Sequence, residues 1–403
     1  MQTAKTLRKT LTDTGIELKS SLMAVLAGIP EGAQGPQRLG TALGLDKVFA
    51  HRLLKALRDD DPLAALQHAP GPDPLRRFLR AAKKRGIPTR VLARASQAID
   101  TFQAVLREDI GDRSQLDAIL SAWLPSARTE FEIRRRQSVF KARSQLLGIS
   151  AETNLATVIL HPSTTGEGID VVWLAGLYSL QRWRPGARTK LTTRRFVTAG
   201  KDRRPTTLEG ERVECLEGLR LDAFCAAKPA ELEVNRVGER VQYILAGDQF
   251  GRKATTDLLL AEVNLDEMPR TPVEGRKPYV FAEIATPSKM LLFDVLVHED
   301  LYTGATPELG TYDTSFDGVV DVNDPSCEID RVDSSDRLEF IGRGTSSFPV
   351  PEVPKHAELL KHVFSSLTWN PDKFMGWRAR VDYPLYGTQV VVSFVTPSSE
   401  KAD

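Results

Sequence analysis

The sequence predicts a multidomain chain, with a helical N-terminal part and a C-terminal α+β part that is mainly antiparallel β with few helices. The spacing of apolar residues in the 403-residue chain leads to this fold class. Up to Gly148 they recur at spacings of three and four, which is typical of amphipathic helices, and after it they alternate, which is typical of half-buried strands. Long alternating βα units are not seen, so a doubly wound parallel sheet is disfavoured.

The first predicted element is an amphipathic helix that ends near Gly28 and Pro30. Its apolar positions fall at three- and four-residue spacings or multiples of them: Leu7, Leu11, Leu18, Leu22 and Val25. In a small helical domain, such a helix completes the core formed by the two shorter helices that follow it.

Residues 35–57 predict two short helices joined by one glycine. Pro36 suits the first turn of a helix, and Gly44 ends that helix, because glycine adopts the left-handed conformation without steric penalty. Gly40 has no side chain and would permit close approach of two crossing helices, and Asp46 is placed to cap the second helix. One apolar face follows on the second helix, formed by Ala50, Leu53, Leu54 and Leu57. This layout is that of a helix-turn-helix, whose second helix enters the major groove of DNA.

Residues 43–57 resemble the helix-turn-helix of IclR-type transcriptional regulators, within a stretch of roughly a tenth of the chain. Two features depart from that family. Val48 and Phe49 stand where such regulators usually carry small hydroxyl residues, and no β-wing is evident after Leu57, where Asp61 and Pro62 predict another helix start. The resemblance implies double-stranded DNA as partner. Four side chains lie off the apolar face of the second helix and can point at DNA: Lys47, His51, Arg52 and Lys55. Together with Arg38 and Thr41 they form the predicted DNA-binding set. The alternative is a helical hairpin without a nucleic-acid role.

Further helices are predicted from Asp61 to Gly148. One of them is predicted to begin at Pro74, with Asp73 as its N-cap. Its outer face is densely basic over residues 76–85. The next span about 89–110, 113–124 and 125–147, and the last of them carries three consecutive arginines at 134–136. Both basic faces could contact DNA phosphates, although a charged helix face is more often simply solvated.

The C-terminal part predicts short strands and one clear helix, over residues 355–367. Two hairpins are expected, one with its turn at residues 236–239 and a closing one through residues 384–387. The predicted strands are 156–160, 169–174, 231–234, 240–246, 258–263, 279–284, 291–297, 319–322, 338–341, 378–383 and 388–395.

Charge is distributed unevenly along the chain. Residues 1–150 carry 25 Lys and Arg against 15 Asp and Glu, and the remainder carries 29 against 38. A basic half commonly faces an anionic partner, although an Arg-rich helical region can occur without one. We predict a helix-turn-helix DNA-binding domain in residues 1–60, a helical connector or dimerisation region in 61–148 and an α+β ligand-sensing or partner-binding region in 149–403. The prolines of residues 268–278 suggest a division of the last region into two lobes.

Patterns that would indicate catalysis or a bound cofactor are weak. The sequence contains no phosphate-cradling glycine loop and no nucleophile elbow, so no catalytic residue, metal site or cofactor is predicted. His161 ends a predicted strand, and the run His298-Glu299-Asp300 follows another. Adjacent strand residues point to opposite faces, so the three residues of the run would rarely converge on one metal ion. The acidic residues between 313 and 324 lack calcium-loop spacing, and a solvated loop is expected. Trp173, Tyr178 and Trp183 either line a pocket or pack in a core.

Cysteine usage favours a reducing compartment. The chain has three cysteines and no CxxC pair, so we predict free thiols and a cytoplasmic location. The N-terminus makes a poor signal peptide, and no apolar run approaches the length of a membrane span.

These observations favour a transcriptional regulator that is not an enzyme, binds double-stranded DNA and forms a homodimer, with a small-molecule effector as a further partner. Two alternatives stay open. One is a helical interaction module or scaffold without direct DNA contact, and the other is an enzyme of unrecognised family in the C-terminal half.

Overall fold

A computed structural model describes residues 4–29, 35–164, 166–195, 197–198, 201–202, 205–214, 216–237 and 240–396. The chain forms two compact units, Met1–Glu132 and Ile133–Asp403, which we call the helical unit and the sheet unit. Helices occupy the chain up to Leu147, and a mainly β region with few helices follows. The predicted fold class is therefore confirmed.

The helices begin and end close to where the periodicity places them. Their bounds are α1 Ala4–Ala27, α2 Pro36–Leu43, α3 Lys47–Arg58, α4 Pro62–His68, α5 Pro72–Lys84, α6 Thr89–Ala104, α7 Arg113–Trp123 and α8 Pro125–Leu147. α6 continues as a π-helical segment, Val105–Ile110. The predicted cap of α5 is wrong, because the helix begins at Pro72 after Gly71. Asp73 lies in the first turn, where a carboxylate interacts favourably with the helix dipole.

α1 is the helix around which the helical unit packs. Its buried residues, Leu11, Leu18, Leu22 and Val25 among them, lie on the face that α4 and α6 cover. At Gly15 a Cβ would lie 2.4 Å from the carbonyl oxygen of Pro62, so only glycine permits this approach of α1 to α4. One hydrophobic core consequently joins residues on both sides of position 60. The division between units lies at 132/133, which differs from the predicted boundaries at 60/61 and 148/149.

The sheet unit contains fifteen strands among its described residues. Their bounds are β1 Ile149–Pro162, β2 Gly168–Arg182, β3 Thr189–Arg195, β4 Val197–Thr198, β5 Lys201–Asp202, β6 Lys228–Pro229, β7 Glu231–Val237, β8 Arg240–Ala246, β9 Thr256–Pro269, β10 Tyr279–Glu283, β11 Ser288–His298, β12 Thr306–Asp313, β13 Leu338–Arg343, β14 Phe374–Asp382 and β15 Thr388–Val395. One helix, α9 (His356–Ser366), lies between β13 and β14.

A seven-stranded sheet in the order β13-β14-β11-β1-β2-β9-β6 is the centre of this unit. β1 pairs antiparallel with β2 and parallel with β11, so the carboxyl ends of β1 and β11 lie at the same edge. Two three-stranded sheets, β10-β15-β12 and β3-β8-β7, accompany it. Residues 268–278 lead from β9 to β10 within this unit, which is not divided there.

Opposite faces of the seven-stranded sheet pack in two different cores. Leu155, Leu292 and Phe374 lie in the core that α9 covers. Val158 and Val295 lie in the core that they share with Val392 of β15. Burial on both faces explains the nearly continuous apolar sequence of β11.

Two sequence predictions in this unit are wrong. Residues 319–322 form no strand, because the side-chain amide of Gln389 binds the backbone N–H (2.9 Å) and carbonyl (3.2 Å) of Val320 in place of a strand partner. The closing hairpin is absent, since β14 pairs with β11 and β13 while β15 pairs with β10 and β12. The β7–β8 hairpin is confirmed by its pairing, and its turn residues Gly238 and Glu239 lie outside the described residues.

Candidate functional site

The α2–α3 segment has the local geometry that its sequence predicts. Gly44 adopts φ 63° and ends α2, and the Asp46 carboxylate accepts the backbone N–H groups of Val48 (2.6 Å) and Phe49 (3.3 Å) at the start of α3. A Cβ on Gly40 would lie 2.9 Å from the carbonyl oxygen of Leu45. The absence of a side chain at Gly40 therefore permits the tight turn between the two helices.

A stripe of basic side chains runs along the outer face of α3. Lys47, His51, Lys55 and Arg58 recur at spacings of four and three, so they lie on one side of the helix, and all four are exposed. None of these four side chains forms an ion pair or a hydrogen bond with a described residue. We call these four residues the α3 stripe. Arg58 was not in the predicted DNA-binding set, although its spacing from Lys55 would have included it.

Arg38 and Thr41 of α2 also belong to the predicted DNA-binding set. Arg38 and Thr41 are exposed on α2 and line a shallow depression with Arg85, whose guanidinium donates to the carbonyl of Ala42. Arg85 therefore places a second arginine beside Arg38 and Thr41, the two members of the predicted set on α2.

Arg52 has a different environment from the α3 stripe. Its guanidinium donates to the carbonyl oxygen of Ala69 (3.4 Å), directly after α4, and Arg113 donates to the same oxygen (3.1 Å). Ala69 ends α4, so both arginines satisfy a carbonyl at a helix C-terminus. Arg52 therefore already makes a hydrogen bond within the helical unit, although its side chain is exposed.

The two residues that depart from the family pattern have separate environments. Val48 is 67% exposed, whereas Phe49 packs inward against Phe78 of α5, with ring centroids 6.3 Å apart. After α3 the chain continues directly into α4, which Asp61 caps by accepting the N–H of Leu63 at 2.8 Å. The expected helix start at Asp61 is confirmed.

The two predicted basic faces differ in how their charges are used. On α5, Arg76 pairs with Asp100 at 2.6 Å, while Arg77, Arg80, Lys83 and Lys84 are exposed and make no ion pair with a described residue. On α8, Arg136 is only 8% exposed and pairs with Asp336 at 2.8 Å within the sheet unit. The α5 face is available to a polyanion, whereas Arg136 is not.

The sheet unit brings together the two histidines that the sequence places at strand ends. Because β1 and β11 are parallel, His161 and His298 meet at one sheet edge with ring centroids 4.9 Å apart, and Trp369 stacks on His161 at 4.3 Å. His161 Nδ1 donates to the carbonyl of Pro162 (2.7 Å), and His298 Nδ1 accepts the N–H of Asp300 (3.2 Å). Burial is the main cause that lowers the pKa of both imidazoles. In the described part of the chain, no group of three metal-ligating side chains converges.

The acidic stretch after β12 has structural roles. Asp313, Asp321 and Asp324 each accept a backbone N–H two residues ahead, at 2.8, 3.0 and 2.9 Å. Asp321 also pairs with Arg276 at 2.7 Å. The expected loop is confirmed, with its carboxylates capping turns.

The three aromatic candidates separate. Trp173 lines a cavity of about 300 Å³ in the sheet unit, Tyr178 is 2% exposed in the core beneath α9, and Trp183 is 43% exposed. Cys225 and Cys327 are free thiols, and burial raises the pKa of Cys225 to about 11. Cys215 lies outside the described residues.

No protein-family model matches this chain, and no curated protein or solved structure matches it either. None of the described helices combines the length and the apolar character needed to cross a membrane.

Proposed function

We propose that this chain is a cytoplasmic, DNA-binding transcriptional regulator that contacts double-stranded DNA through α2 and α3, with a sensing role for the sheet unit. The observation that supports this proposal is the α3 stripe, four exposed basic side chains along one side of a capped helix that follows a glycine turn.

The dimensions of the α3 stripe suit a DNA groove. Lys47 and Arg58 are eleven residues apart, which corresponds to about 16 Å along a helix. The major groove admits one α-helix, and the N-terminal residues of a recognition helix contact base edges. Lys47 and His51 would lie at that end, with Arg38 and Thr41 of α2 beside them, and Lys55 and Arg58 would contact phosphates. The exposed Arg77, Arg80, Lys83 and Lys84 of α5 would add sequence-independent affinity.

Selection of genomic fragments by the purified protein, followed by mobility-shift titration, tests the proposal. We expect enrichment of a defined sequence. The double variant Lys47→Ala/Lys55→Ala should bind that sequence about tenfold or more weakly, because each contact contributes about 1–3 kcal/mol. The slope of log affinity against log salt should fall by about 1, since Lys55 is the one of the two lysines that would neutralise a phosphate.

The matched control is Lys141→Ala/Lys361→Ala, which removes two exposed lysines from α8 and α9. This control should keep the affinity of the wild type. Equal affinity of the α3 double variant and the wild type would remove α3 from the interface, and the absence of any enriched sequence would overturn the proposal.

We further propose that the protein binds DNA as a two-fold dimer, since one helix-turn-helix offers few base contacts. An interface in residues 89–148 is predicted from five apolar residues, Phe102, Leu106, Trp123, Phe131 and Phe140. Of these, Phe102, Leu106 and Phe140 are buried within the single chain. Val139 and Leu146 of α8 are 49% and 70% exposed and lie seven residues apart, on one helix face. Light scattering should give twice the monomer mass of 44.6 kDa. The selected sequence should be an inverted repeat whose half-site centres lie about 34 Å apart, or a multiple of that distance. A monomer mass, free and on DNA, would contradict the dimer.

A further inference from the structure

The cavity of about 300 Å³ in the sheet unit has walls of mixed origin. Its floor is formed by β1, β2 and β9 of the seven-stranded sheet, and its sides include β3 and β10, which belong to the two different three-stranded sheets. The cavity therefore lies where these three sheets come together. Its volume is at the lower end of the range for small-molecule sites, which corresponds to a ligand of modest size.

The walls of this cavity are mainly apolar, with an aromatic corner. Leu177 of β2 and Leu258 and Leu260 of β9 line part of the floor. Trp173 and Phe281 form the corner, with ring centroids 6.3 Å apart and an interplanar angle of 62°. The faces of aromatic rings carry negative partial charge and attract cations, most strongly when water is excluded.

Among the described residues of the cavity, the charged side chains are all of one sign. Glu262 is 5% exposed in the floor, where its carboxylate accepts a hydrogen bond from the Asn264 side chain (3.3 Å). Glu283 is exposed, and the described residues that line the cavity include no Lys, Arg or His. Thr286 adds a polar group that the fold does not use. It is 1% exposed, and its hydroxyl has no hydrogen-bond partner in the described structure. A buried hydroxyl without a partner costs free energy unless a ligand or a water molecule satisfies it.

We propose that this cavity binds a small organic ammonium ion with an apolar body. The ammonium group would lie beside the Glu283 carboxylate and the aromatic corner and would donate a hydrogen bond to the Thr286 hydroxyl. The apolar body would contact the leucines. As a binding site the proposal stands on the cavity alone, and as the effector site of a regulator it rests on the proposed function. An anionic ligand is disfavoured, because the Glu283 carboxylate and the negative faces of the two aromatic rings would repel it in a partly desolvated space.

Calorimetric titration of the full chain with three ligands of one shape tests the charge preference. Tryptamine, tryptophol and indole-3-acetate share the indole ring and differ in a cationic, neutral or anionic end group. We expect tryptamine to bind at least about tenfold more tightly than tryptophol, and indole-3-acetate not to bind. No tryptamine binding, or equal affinity for all three, would overturn the proposal. Since no DNA is present, its failure is distinguishable from failure of the DNA-binding proposal.

One substitution then locates the bound cation. Glu283→Gln should raise the dissociation constant for tryptamine by about threefold to tenfold, because one charge partner is lost while the side-chain size is kept. Glu339→Gln is the control, since Glu339 is also an exposed strand glutamate but lies on β13, at an edge of the seven-stranded sheet, and does not line the cavity. Equal dissociation constants for the two variants would show that tryptamine binds elsewhere and would overturn the assignment of the site.

Discussion

Replacing Arg378 with Met is expected to lower the free energy of unfolding by about 3–5 kcal/mol, because it leaves a buried carboxylate without its partner. Asp294 is 1% exposed and Arg378 8% exposed. The guanidinium donates from Nε to Oδ1 (2.7 Å) and from Nη2 to Oδ2 (2.5 Å) of Asp294, and also to the carbonyl of Phe348 at 2.5 Å. Burial raises the pKa of Asp294, and the arginine opposes that shift. Without the arginine, Asp294 would have to take up a proton or remain as an unpaired buried charge.

Arg380→Met provides the comparison for this prediction. Arg380 lies on the same strand and pairs with Glu352 at 2.7 Å, but the two side chains are 44% and 29% exposed. Such a pair contributes about 0–1 kcal/mol, since water screens it. Urea unfolding of the full chain, followed by circular dichroism, gives both values. Similar losses in the two variants would show that burial does not set the contribution of the Asp294–Arg378 pair.

The local elements of this fold could be predicted because their signals are local. The cap at Asp46, the left-handed Gly44 and the apolar spacing of α1 and α3 involve residues only a few positions apart. The partners of β14 and β15 were mispredicted because pairing depends on residues far away in sequence. The N–H of Tyr383 bonds to the carbonyl of Lys289, and that of Gly387 to Ile284, so the two ends of the predicted turn are held by different segments.

The functional residues, too, could be predicted only where they are close in sequence. Outward residues on α3 follow from helical spacing alone, and Arg58 could have been included by the same rule. By contrast, the meeting of His161 with His298 depends on the parallel pairing of β1 and β11, which no local pattern encodes. The cavity depends on three sheets coming together, and Trp173 alone gave a hint of it in the sequence.

Acid is expected to destabilise the sheet unit through His356, at the start of α9. This residue is 3% exposed, its Nδ1 accepts the N–H of Val350 (3.2 Å), and its Nε2 has no partner among the described residues. Burial first, and the positive charge of Arg378 second, lower its pKa to about 4. A histidine in an unfolded chain has a pKa of about 6.5. Between pH 4 and about pH 6.5 the unfolded chain therefore binds more protons than the folded chain does.

The stabilisation that neutral His356 provides is therefore complete above about pH 6.5 and is lost as the pH falls towards 4, by about 2–3 kcal/mol at pH 4.5. His356→Asn tests this by urea unfolding at pH 7 and pH 4.5, since Asn cannot titrate and its carbonyl oxygen can still accept from Val350. The variant should lose less stability on acidification than the wild type by that amount. His362→Asn, a half-buried position on the same helix, should behave as the wild type does. An equal pH dependence in all three proteins would show that His356 takes up its proton as readily in the folded chain as in the unfolded one.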